Sequence, residues 1–501
     1  MSAEPAIRCG DTERTYPEIH DRAARIAGGL AALGVGRGDR IALVLRNSVE
    51  FIELTLAAGV AGASPVPVNW HWRGEELAYL LNDSGSKAVF AHPDFMPVVK
   101  QAAPAGVHVI EVLPPSSTRT NQEAPGLEEW LTGQQPLASD GSLPRSGIIY
   151  TSGTTGRPKG VIRKPMSADD LIYLAAALLP RLGIASGERT LIPAPMYHTA
   201  PNVVATAAAA LGLDMTIMAR FDPGEMLALI ERHHVQQVQM VPTMFIRLLK
   251  LPAEVRKRYD LSSLTKVVHA AAPCPVSVKR QMIDWLGPIV EEYYGGTETG
   301  PVVWCDSQQW LAHPGTVGAP VDDAQVRIVG PDEAELPAGE VGVVYLKTPR
   351  WWPEFSYLGD EEKRRAMELA GFVTVGDMGS LDADGYLYLS DRASDMVISG
   401  GVNIYPAEIE AVLLELPGVR DSAVFGIPDE DFGEALAAHI ELEPGATLTE
   451  DDVRGHVHRT LAGYKTPKIV VFTGSLPRED SGKLFKRTLR APYWAGTDRR
   501  I

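Results

Sequence analysis

The sequence predicts an α/β protein, because helical and strand patterns alternate along the first part of the chain. Thr15 and Glu18 are typical of a capping box, and a helical apolar pattern follows them. The apolar run 41–45 has the length of a buried strand, and similar strand patterns occur at 88–91 and 107–112. This alternation favours parallel sheets that are covered by helices.

Length, charge and cysteine content narrow the class of protein. A chain of 501 residues suggests two or three domains, and a net charge of −16 argues against nucleic acid as a partner. The three cysteines form no C-x-x-C pair, which indicates a reducing compartment, and we expect a cytoplasmic protein. The apolar stretch 203–219 is broken by Gly212 and Asp214, so we expect no integral membrane segment.

The sequence pattern of the chain changes at two places. Residues 113–145 are rich in Pro, Ser, Thr, Gln and Gly, which predicts a surface loop between subdomains. From Ala324 onward the pattern is β-rich, and Asp384-Gly385 indicates a hairpin between short strands. The large first part is therefore expected to end in a β-rich subdomain.

The most informative segment is 150–160, which reads Tyr-Thr-Ser-Gly-Thr-Thr-Gly-Arg-Pro-Lys-Gly after a predicted strand at 146–150. Backbone N–H groups, hydroxyls and the Lys159 cation of such a loop can surround a phosphate. It is not a Walker A loop, because Pro158 occupies the position of the second glycine and Gly160 follows the lysine.

Two further segments carry oxygen-rich side chains on glycine turns. Residues 293–300, Tyr-Tyr-Gly-Gly-Thr-Glu-Thr-Gly, present Thr297 and Glu298. Mg²⁺ prefers oxygen ligands and shares them with substrate phosphates, so Glu298 is a candidate ligand. Asp377, between Gly376 and Met378, can accept hydrogen bonds from a vicinal diol.

These segments, in this order, resemble the motifs of the adenylate-forming superfamily, and residues 400–408 resemble its acyl-CoA synthetases. The resemblance implies that Tyr294 stacks on adenine, that Asp377 and Arg392 hold the ribose, and that Thr155 and Glu298 bind Mg²⁺. The implied ATP- and AMP-binding residues are Thr151, Ser152, Gly153, Thr154, Thr155, Lys159, Ala271, Ala272, Pro273, Tyr293, Tyr294, Gly295, Thr297, Asp377 and Arg392.

The resemblance also implies roles for the remaining motifs. Lys483, Glu298 and Thr297 are the expected catalytic residues, and Ser399, Gly400 and Gly401 form the expected loop for coenzyme A and thioester formation. The implied acyl pocket contains His198, Ala270, Gly295 and Gly296, although a lone histidine beside apolar residues is more often structural. Trp351-Trp352 is either a channel wall or a buried anchor, and Lys486 and Arg487 are expected to be surface charges.

The implied architecture has a large N-terminal adenylation domain at 1–390, a hinge at 391–395 and a small mobile α+β C-terminal domain at 396–501. The expected pivot is Ser394, where the family usually has Asp or Lys. A serine can still change its backbone angles but lacks a charge that could stabilise one orientation.

The implied function is an ATP-dependent acyl-CoA synthetase with Mg²⁺. It forms an acyl adenylate and pyrophosphate, then transfers the acyl group to coenzyme A. We expect a hydrophobic acid (fatty, aromatic, or alicyclic and polycyclic such as steroid or terpenoid), because no cation is evident for a second carboxylate. The alternatives are delivery to a carrier-protein thiol and a non-catalytic nucleotide- or acyl-binding homologue. For the oligomeric state we expect a monomer or a homodimer.

Overall fold

The computed structural model of the chain describes residues 4–113, 124–141, 145–151, 157–479 and 484–495. The fold is α/β, as the sequence predicts, with parallel-rich sheets in the N-terminal part and a small unit of helices and strands at the C-terminal end. Of the predicted surface loop at 113–145, residues 114–123 and 142–144 lie outside the described residues.

The strands that build these sheets are short. In chain order they are β1 (Ala6–Cys9), β2 (Thr12–Thr15), β3 (Arg40–Val44), β4 (Ser64–Pro67), β5 (Ala88–Ala91), β6 (His108–Glu111), β7 (Ile149–Thr151), β8 (Lys159–Arg163), β9 (Arg189–Ile192), β10 (Asp214–Ile217), β11 (Gln237–Met240), β12 (Lys266–His269), β13 (Val290–Tyr294), β14 (Val303–Cys305), β15 (Ala319–Pro320), β16 (Gln325–Val329), β17 (Gly342–Lys347), β18 (Phe355–Tyr357), β19 (Glu368–Leu369), β20 (Phe372–Val373), β21 (Asp377–Leu381), β22 (Leu387–Arg392), β23 (Val397–Ser399), β24 (Val402–Ile404), β25 (Val419–Asp429), β26 (Gly433–Leu442) and β27 (Ile469–Thr473).

The α-helices alternate with these strands. In chain order they are α1 (Tyr16–Ala32), α2 (Val49–Val60), α3 (Gly74–Ser84), α4 (Met96–Ala102), α5 (Leu127–Leu131), α6 (Ala168–Leu178), α7 (Thr199–Ala210), α8 (Pro223–His233), α9 (Pro242–Leu249), α10 (Ala253–Arg256), α11 (Val276–Leu286), α12 (Ser307–Ala312), α13 (Glu361–Ala366), α14 (Pro406–Leu414), α15 (Glu450–Thr460) and α16 (Lys486–Trp494).

The local signals for the first elements are confirmed. Thr15 N–H donates to Glu18 Oε2 at 2.8 Å, so the predicted capping pair opens α1. The second helix begins after Ser48, whose hydroxyl accepts the N–H of Phe51 at 3.3 Å. The strand expected at 88–91 is β5, while the strand expected at 107–112 is shorter by one residue at each end.

The largest sheet has the order β15-β14-β13-β12-β11-β9-β10-β1-β2, and β13, β12, β11, β9, β10 and β1 pair in parallel. A second, all-parallel sheet has the order β4-β3-β5-β6. Buried residues of α1, α2 and α7 pack with buried residues of both sheets in one apolar cluster. Parallel strands buried on both faces need this helical cover.

The β-rich region predicted from Ala324 is an antiparallel sheet with the order β19-β20-β17-β21-β22, and β16 pairs with β17. Gly385 has φ +84° in the turn between β21 and β22, which confirms the predicted hairpin. The expected strand before the phosphate loop is β7, which joins β8 and β18 in a separate small sheet.

The C-terminal part has its own sheet, β25-β26-β27, covered by α14, α15 and α16. Its apolar core is a cluster separate from those of the N-terminal sheets, and it includes Ile409, Leu413, Val424 and Val457. Among the described residues, no helix is both long enough and apolar enough to cross a membrane.

A buried histidine directly after β5 makes the stability of the fold depend on pH. His92 is 3% exposed, and its Nδ1 accepts the backbone N–H of Arg46 at 3.2 Å. Burial lowers the pKa of His92 from 6.5 to about 4, because the charged ring would lose its hydration. The folded state therefore binds this proton less readily than the unfolded state, so stability is full above pH 6.5 and falls as the pH drops towards about 4.

We predict that His92→Asn flattens the acid dependence of stability, since the Asn side-chain oxygen can accept the same N–H without titrating. The free energy of unfolding of the native chain should fall by about 2 kcal/mol more than that of the variant between pH 6.5 and about 5. Urea unfolding at several pH values measures the difference. His108→Asn, an exposed position, is the matched control; parallel curves for native chain and His92→Asn would contradict the prediction.

Candidate active site

Three of the motif segments meet because they follow parallel strands. Residues 193–198 follow β9, residues 270–273 follow β12 and residues 295–300 follow β13, all strands of the large sheet with the same direction. Ligands of open α/β sheets bind at this carboxyl edge. The candidate acyl, adenine and metal segments therefore lie along one edge although more than a hundred residues separate the first from the last.

The turn at 295–300 depends on glycine at both ends. A Cβ on Gly295 would lie 1.7 Å from the carbonyl oxygen of Gly300. Gly300 has φ +61°, and a Cβ there would lie 2.3 Å from the Trp352 ring. Trp352 Nε1 also donates to the Glu298 carbonyl at 3.3 Å, so this tryptophan is the buried anchor of the turn. The alternative of a channel wall is not needed to explain it.

The Glu298 carboxylate is held by hydroxyl donors. Tyr357 Oη donates to Glu298 Oε1 at 2.9 Å, and Thr151 Oγ1 lies 3.4 Å from the same oxygen. Glu298 is 8% exposed, and burial together with this carboxylate raises the pKa of the Tyr357 phenol. Tyr357 therefore remains a neutral donor that fixes one oxygen of the carboxylate.

The guanidinium of Arg163 holds the same turn through its backbone carbonyl groups. Arg163 Nη2 donates to the Thr297 carbonyl at 2.5 Å and Nη1 donates to the Glu298 carbonyl at 3.3 Å. Its charge lies 4.5 Å from the centre of the Trp352 ring. Burial lowers the pKa of Arg163 to about 10 while Glu298 opposes the shift, so the cation persists at neutral pH.

The candidate ribose site is assembled from three elements. Tyr294 Oη donates to Asp377 Oδ2 at 2.7 Å, and Arg392 Nε lies 3.1 Å from Asp377 Oδ1. Asp377 and Arg392 are register partners on β21 and β22. Tyr293, the preceding residue, has its ring stacked on Trp304 at 5.4 Å and so occupies the other face of β13. Of the two tyrosines, Tyr294 is therefore the one whose side chain contacts Asp377.

The small-residue segment 270–273 has an unusual backbone. Ala271 has φ +78°, a left-handed conformation that non-glycine residues rarely adopt. Ala270 is 5% exposed, whereas Ala271 and Pro273 are exposed. Strain of this kind persists where the surrounding structure imposes it, and it often occurs at ligand sites.

The structure describes only part of the phosphate loop. Lys159 begins β8 and its Nζ forms an ion pair with Asp360, while the ring of Tyr357 lies 5.5 Å from Nζ. Ser152, Gly153, Thr154 and Thr155 lie outside the described residues, so the Thr155 metal prediction stays a prediction. Within the residues described, no group of three or more His, Cys, Asp or Glu side chains could hold a metal by itself.

The candidate acyl segment contacts both the metal turn and the C-terminal part. Thr199 Oγ1 and Thr297 Oγ1 share a hydrogen bond at 2.8 Å. His198 Nε2 lies 3.5 Å from Glu479 Oε2, and about a third of the His198 side chain is exposed. Gly296 lies on the same turn as Thr297, and a Cβ there would lie 3.0 Å from Glu298 Oε2.

The expected thioester loop is the turn of a small hairpin. Ser399 ends β23, and Gly400 and Gly401 have φ +57° and +80° before β24. Gly400 N–H donates to the Phe432 carbonyl at 2.8 Å, which joins the turn to the β25–β26 hairpin. Ile398, Val402 and Phe432 are exposed around it. This hairpin belongs to the C-terminal part and lies outside the cluster at the sheet edge.

The prediction that Lys486 is a surface charge is wrong. Lys486 is 9% exposed and its Nζ lies 2.8 Å from Glu410 Oε1. Burial alone would lower the pKa of Lys486, but Glu410, Asp391 and Asp395 outweigh it and raise the pKa. The periodicity of α16 was too short to show this burial. At the expected pivot, the Ser394 carbonyl accepts a hydrogen bond from Arg490 at 3.2 Å, and Lys483 lies outside the described residues.

Sequence reasoning missed Tyr357, Arg163, Glu479 and Asn69, whose Nδ2 donates to Glu479 Oε1 at 3.0 Å. Each lies in a segment with no recognisable motif of its own or, for Glu479, beside a motif at a position given no role. A signal existed for Arg163 alone, since an arginine ends the apolar strand pattern that follows the phosphate loop.

Comparisons with known proteins identify the family to which the chain belongs. A family model described as AMP-binding enzyme matches residues 2–353, and one described as AMP-binding enzyme C-terminal domain matches residues 408–483. The feruloyl-CoA synthase of an Amycolatopsis species is 34% identical over 490 residues, which cover 97% of this chain and 96% of that protein. The fatty acid–[acyl-carrier-protein] ligase ScoC of Streptomyces coeruleorubidus is 31% identical over 509 residues, covering 99% and 95%.

A solved structure gives the same fold. The o-succinylbenzoate CoA synthetase MenE from Bacillus subtilis, in complex with the acyl-adenylate intermediate OSB-AMP, has a TM-score of 0.83 to this chain. It is 27% identical, and the likeness covers 99% of this chain and 96% of that one.

We predict that Tyr357→Phe raises the KM for ATP in the presence of Mg²⁺ by about tenfold, because Glu298 loses the hydroxyl that fixes its carboxylate. Steady-state kinetics with varied ATP measure the effect. Tyr388→Phe removes a hydroxyl that donates to Asp382 at 3.2 Å in the distant hairpin, and serves as control. Equal changes in the two variants would contradict a specific role for Tyr357.

Proposed function

The chain belongs to the AMP-binding enzyme family, and we propose that it activates a hydrophobic carboxylic acid for transfer to coenzyme A. It is an AMP-forming acid–thiol ligase of the acyl-CoA synthetase type, which uses ATP. The observation that carries the detailed proposal is the convergence of Glu298, Asp377 with Tyr294, and the acyl segment on one sheet edge.

In the first step a carboxylate oxygen of the acid attacks the α-phosphorus of ATP, and the bond from that phosphorus to the pyrophosphate oxygen breaks. Both reactants are anions, so catalysis is mainly charge neutralisation and positioning. Lys159 and Lys483 are the proposed cations from this chain. Lys159 has to exchange Asp360 for phosphate oxygens, which is feasible because Asp360 is partly exposed.

Mg²⁺ fits the donor set at the turn. Glu298 offers one carboxylate and Thr297 one hydroxyl, and phosphates can supply the remaining oxygens that this ion prefers. When bound, the ion would supply further neutralisation of the phosphates. The chain's own contribution is the orientation of Glu298 by Tyr357 and Arg163.

The nucleoside is proposed to bind between 270–273 and Asp377. Asp377 is already paired with Tyr294 and Arg392, so it is oriented to accept the two ribose hydroxyls. The exposed Ala271 and the half-buried Ala272 offer backbone N–H and C=O groups for the adenine edge. These assignments define the nucleotide half of the site.

A hydrophobic acid is supported by the small and apolar surroundings of the acyl segment. Gly295, Gly296 and Ala270 carry little side chain, and the turn that contains Gly295 and Gly296 is joined to Thr199 through Thr297. Three alanines of helix α7 do not enlarge the acyl pocket, because they are buried in the apolar core: Ala205, Ala208 and Ala209. The name of one relative contains the feruloyl group, which is the acyl group of an aromatic acid.

In the second step a thiol attacks the acyl carbonyl and AMP leaves with the electron pair of the mixed anhydride bond. We propose that the C-terminal domain (396–501) turns about Ser394, within the hinge 391–395, so that Gly400 and Gly401 replace Lys483 at the N-terminal domain (1–390). The exposed Ile398, Val402 and Phe432 beside this loop would then become covered.

A carrier-protein thiol is a second candidate acceptor, because ScoC, named as an acyl-carrier-protein ligase, matches 99% of the chain. The test is acid-dependent exchange of labelled pyrophosphate into ATP over fatty, aromatic and polycyclic acids, followed by addition of coenzyme A or a phosphopantetheinylated carrier protein. We expect exchange with a hydrophobic acid and a thioester with coenzyme A. Exchange only with dicarboxylic acids would overturn the substrate class, thioester formation only with the carrier would overturn the acceptor, and ATP binding without exchange would indicate a non-catalytic homologue.

We predict that Lys483→Ala lowers pyrophosphate exchange by about 100-fold or more, because a cation that stabilises the transferring phosphate is lost. Formation of the thioester from a supplied acyl adenylate should be largely spared, since that step uses the other domain orientation. Lys468→Ala, an exposed lysine paired with Asp429, is the control. Equal loss of both half-reactions in Lys483→Ala would count against this division of labour.

A further inference from the structure

The described residues on either side of 480–483 form a defined base. Arg478 and Leu484 form an isolated antiparallel bridge, and Phe485 N–H donates to the Pro477 carbonyl at 2.9 Å. Lys483 immediately precedes Leu484 in the chain. Whatever holds this base in place therefore also limits where the lysine can reach.

Arg478 attaches the base to the C-terminal domain. Its Nε and Nη2 lie 2.5 and 2.8 Å from the two carboxylate oxygens of Asp421, a bidentate pair. Leu476 N–H donates to Glu441 Oε2 at 3.1 Å. Both acidic partners are on the C-terminal sheet, so these contacts move with the domain.

Glu479, the next residue, is directed to the N-terminal domain. Its Oε1 accepts a hydrogen bond from Asn69 Nδ2 at 3.0 Å, and its Oε2 lies 3.5 Å from His198 Nε2. Asn69 Oδ1 accepts the His71 N–H at 3.0 Å, which orients the amide so that its NH₂ group faces Glu479. The Glu479 side chain is 4% exposed.

The same carboxylate lines a cleft of about 320 Å³ between the two domains, with Asn47, Trp70, Arg220 and Arg247 among the other lining residues. A buried carboxylate is costly unless donors compensate for the lost water. Asn69 donates such a hydrogen bond, and His198 Nε2 lies 3.5 Å from the carboxylate, only while the C-terminal domain has this orientation. Turning the domain would return Glu479 to water and separate it from both partners.

We propose that Glu479 is a positioning residue of the adenylation half-reaction, which fixes the base formed by Arg478 and Leu484, next to Lys483 in the chain, against Asn69 and His198. Arg478 and Glu479, adjacent in the chain, thus join this base to opposite domains. The contact stabilises one orientation and is absent from the other, so its loss should impair the first half-reaction and spare the second. This inference rests on the two-step function proposed above.

The test measures both half-reactions in the full chain. Glu479→Ala should lower the rate of acid-dependent pyrophosphate exchange by about 10- to 100-fold at saturating ATP, as expected for loss of a hydrogen bond to a buried charge. Coenzyme-A-dependent AMP release from supplied acyl adenylate should change by less than about twofold, because that orientation lacks the contact. The KM for ATP should change little, since Glu479 is not placed on the nucleotide.

A swapped pair tests the contact itself. Asn69→Asp sets two buried carboxylates against each other and should lower exchange as far as Glu479→Ala or further. The double variant Asn69→Asp with Glu479→Gln restores one amide–carboxylate hydrogen bond in the reverse direction and should recover most of the exchange rate. A purely structural loss at either position would not be repaired in this way.

Glu443→Gln is the matched control, because Glu443 also joins the domains, through an ion pair with Lys250 that is more than a third exposed. An exposed pair contributes little, so exchange should stay within about threefold of the native chain. The inference is overturned if Glu479→Ala lowers both half-reactions equally, if the swapped pair recovers nothing, or if Glu443→Gln gives the same split. Absence of exchange in the native chain with every acid would instead refute the proposed function.

Discussion

The common direction of β9, β11, β12 and β13 is the constraint on which the site depends. Because each parallel strand ends at the same edge of the sheet, the segments that follow them are neighbours whatever their separation in the chain. The chain then has to reverse sharply after β13, since β14 pairs with it antiparallel. Gly295 and Gly300 make that reversal possible, and Glu298 is the side chain that the reversal presents.

The charged donor that holds the turn binds its backbone carbonyl groups, so the Glu298 carboxylate remains available to a ligand. Arg163 could have paired with the Glu298 carboxylate, but its two hydrogen bonds go to carbonyl oxygens of the turn. Tyr357 donates to one carboxylate oxygen, and as a neutral phenol it does not cancel the negative charge. The turn is therefore rigid while Glu298 keeps the charge that a hard cation and its phosphates require.

The sequence allowed prediction of elements whose signals are local. The capping pair of α1 and the hairpin at Asp384-Gly385 need only neighbouring residues, and the adenylate-forming motifs need only their own order. Tyr357 and Asn69 could not be found this way, because each acts on a residue more than fifty positions distant and only the packing of separate elements brings them together. Lys486 was misjudged for the same reason, since its partners Glu410 and Asp391 lie on other elements.

Contacts near a pivot and contacts far from it act differently when a domain turns. Asp391 accepts the Ala407 N–H at 2.9 Å beside Lys486, next to the expected pivot at Ser394, where a rotation displaces atoms least. Burial raises the pKa of Asp391, while Lys486 and the Ala407 N–H oppose the shift. Because atoms near the pivot move little, the contacts of Asp391 and Lys486 contribute similar free energies in the two domain orientations. Discrimination between orientations has to come from groups that a rotation separates completely, and the buried carboxylate of Glu479, which contacts Asn69 and His198 of the other domain, has that property.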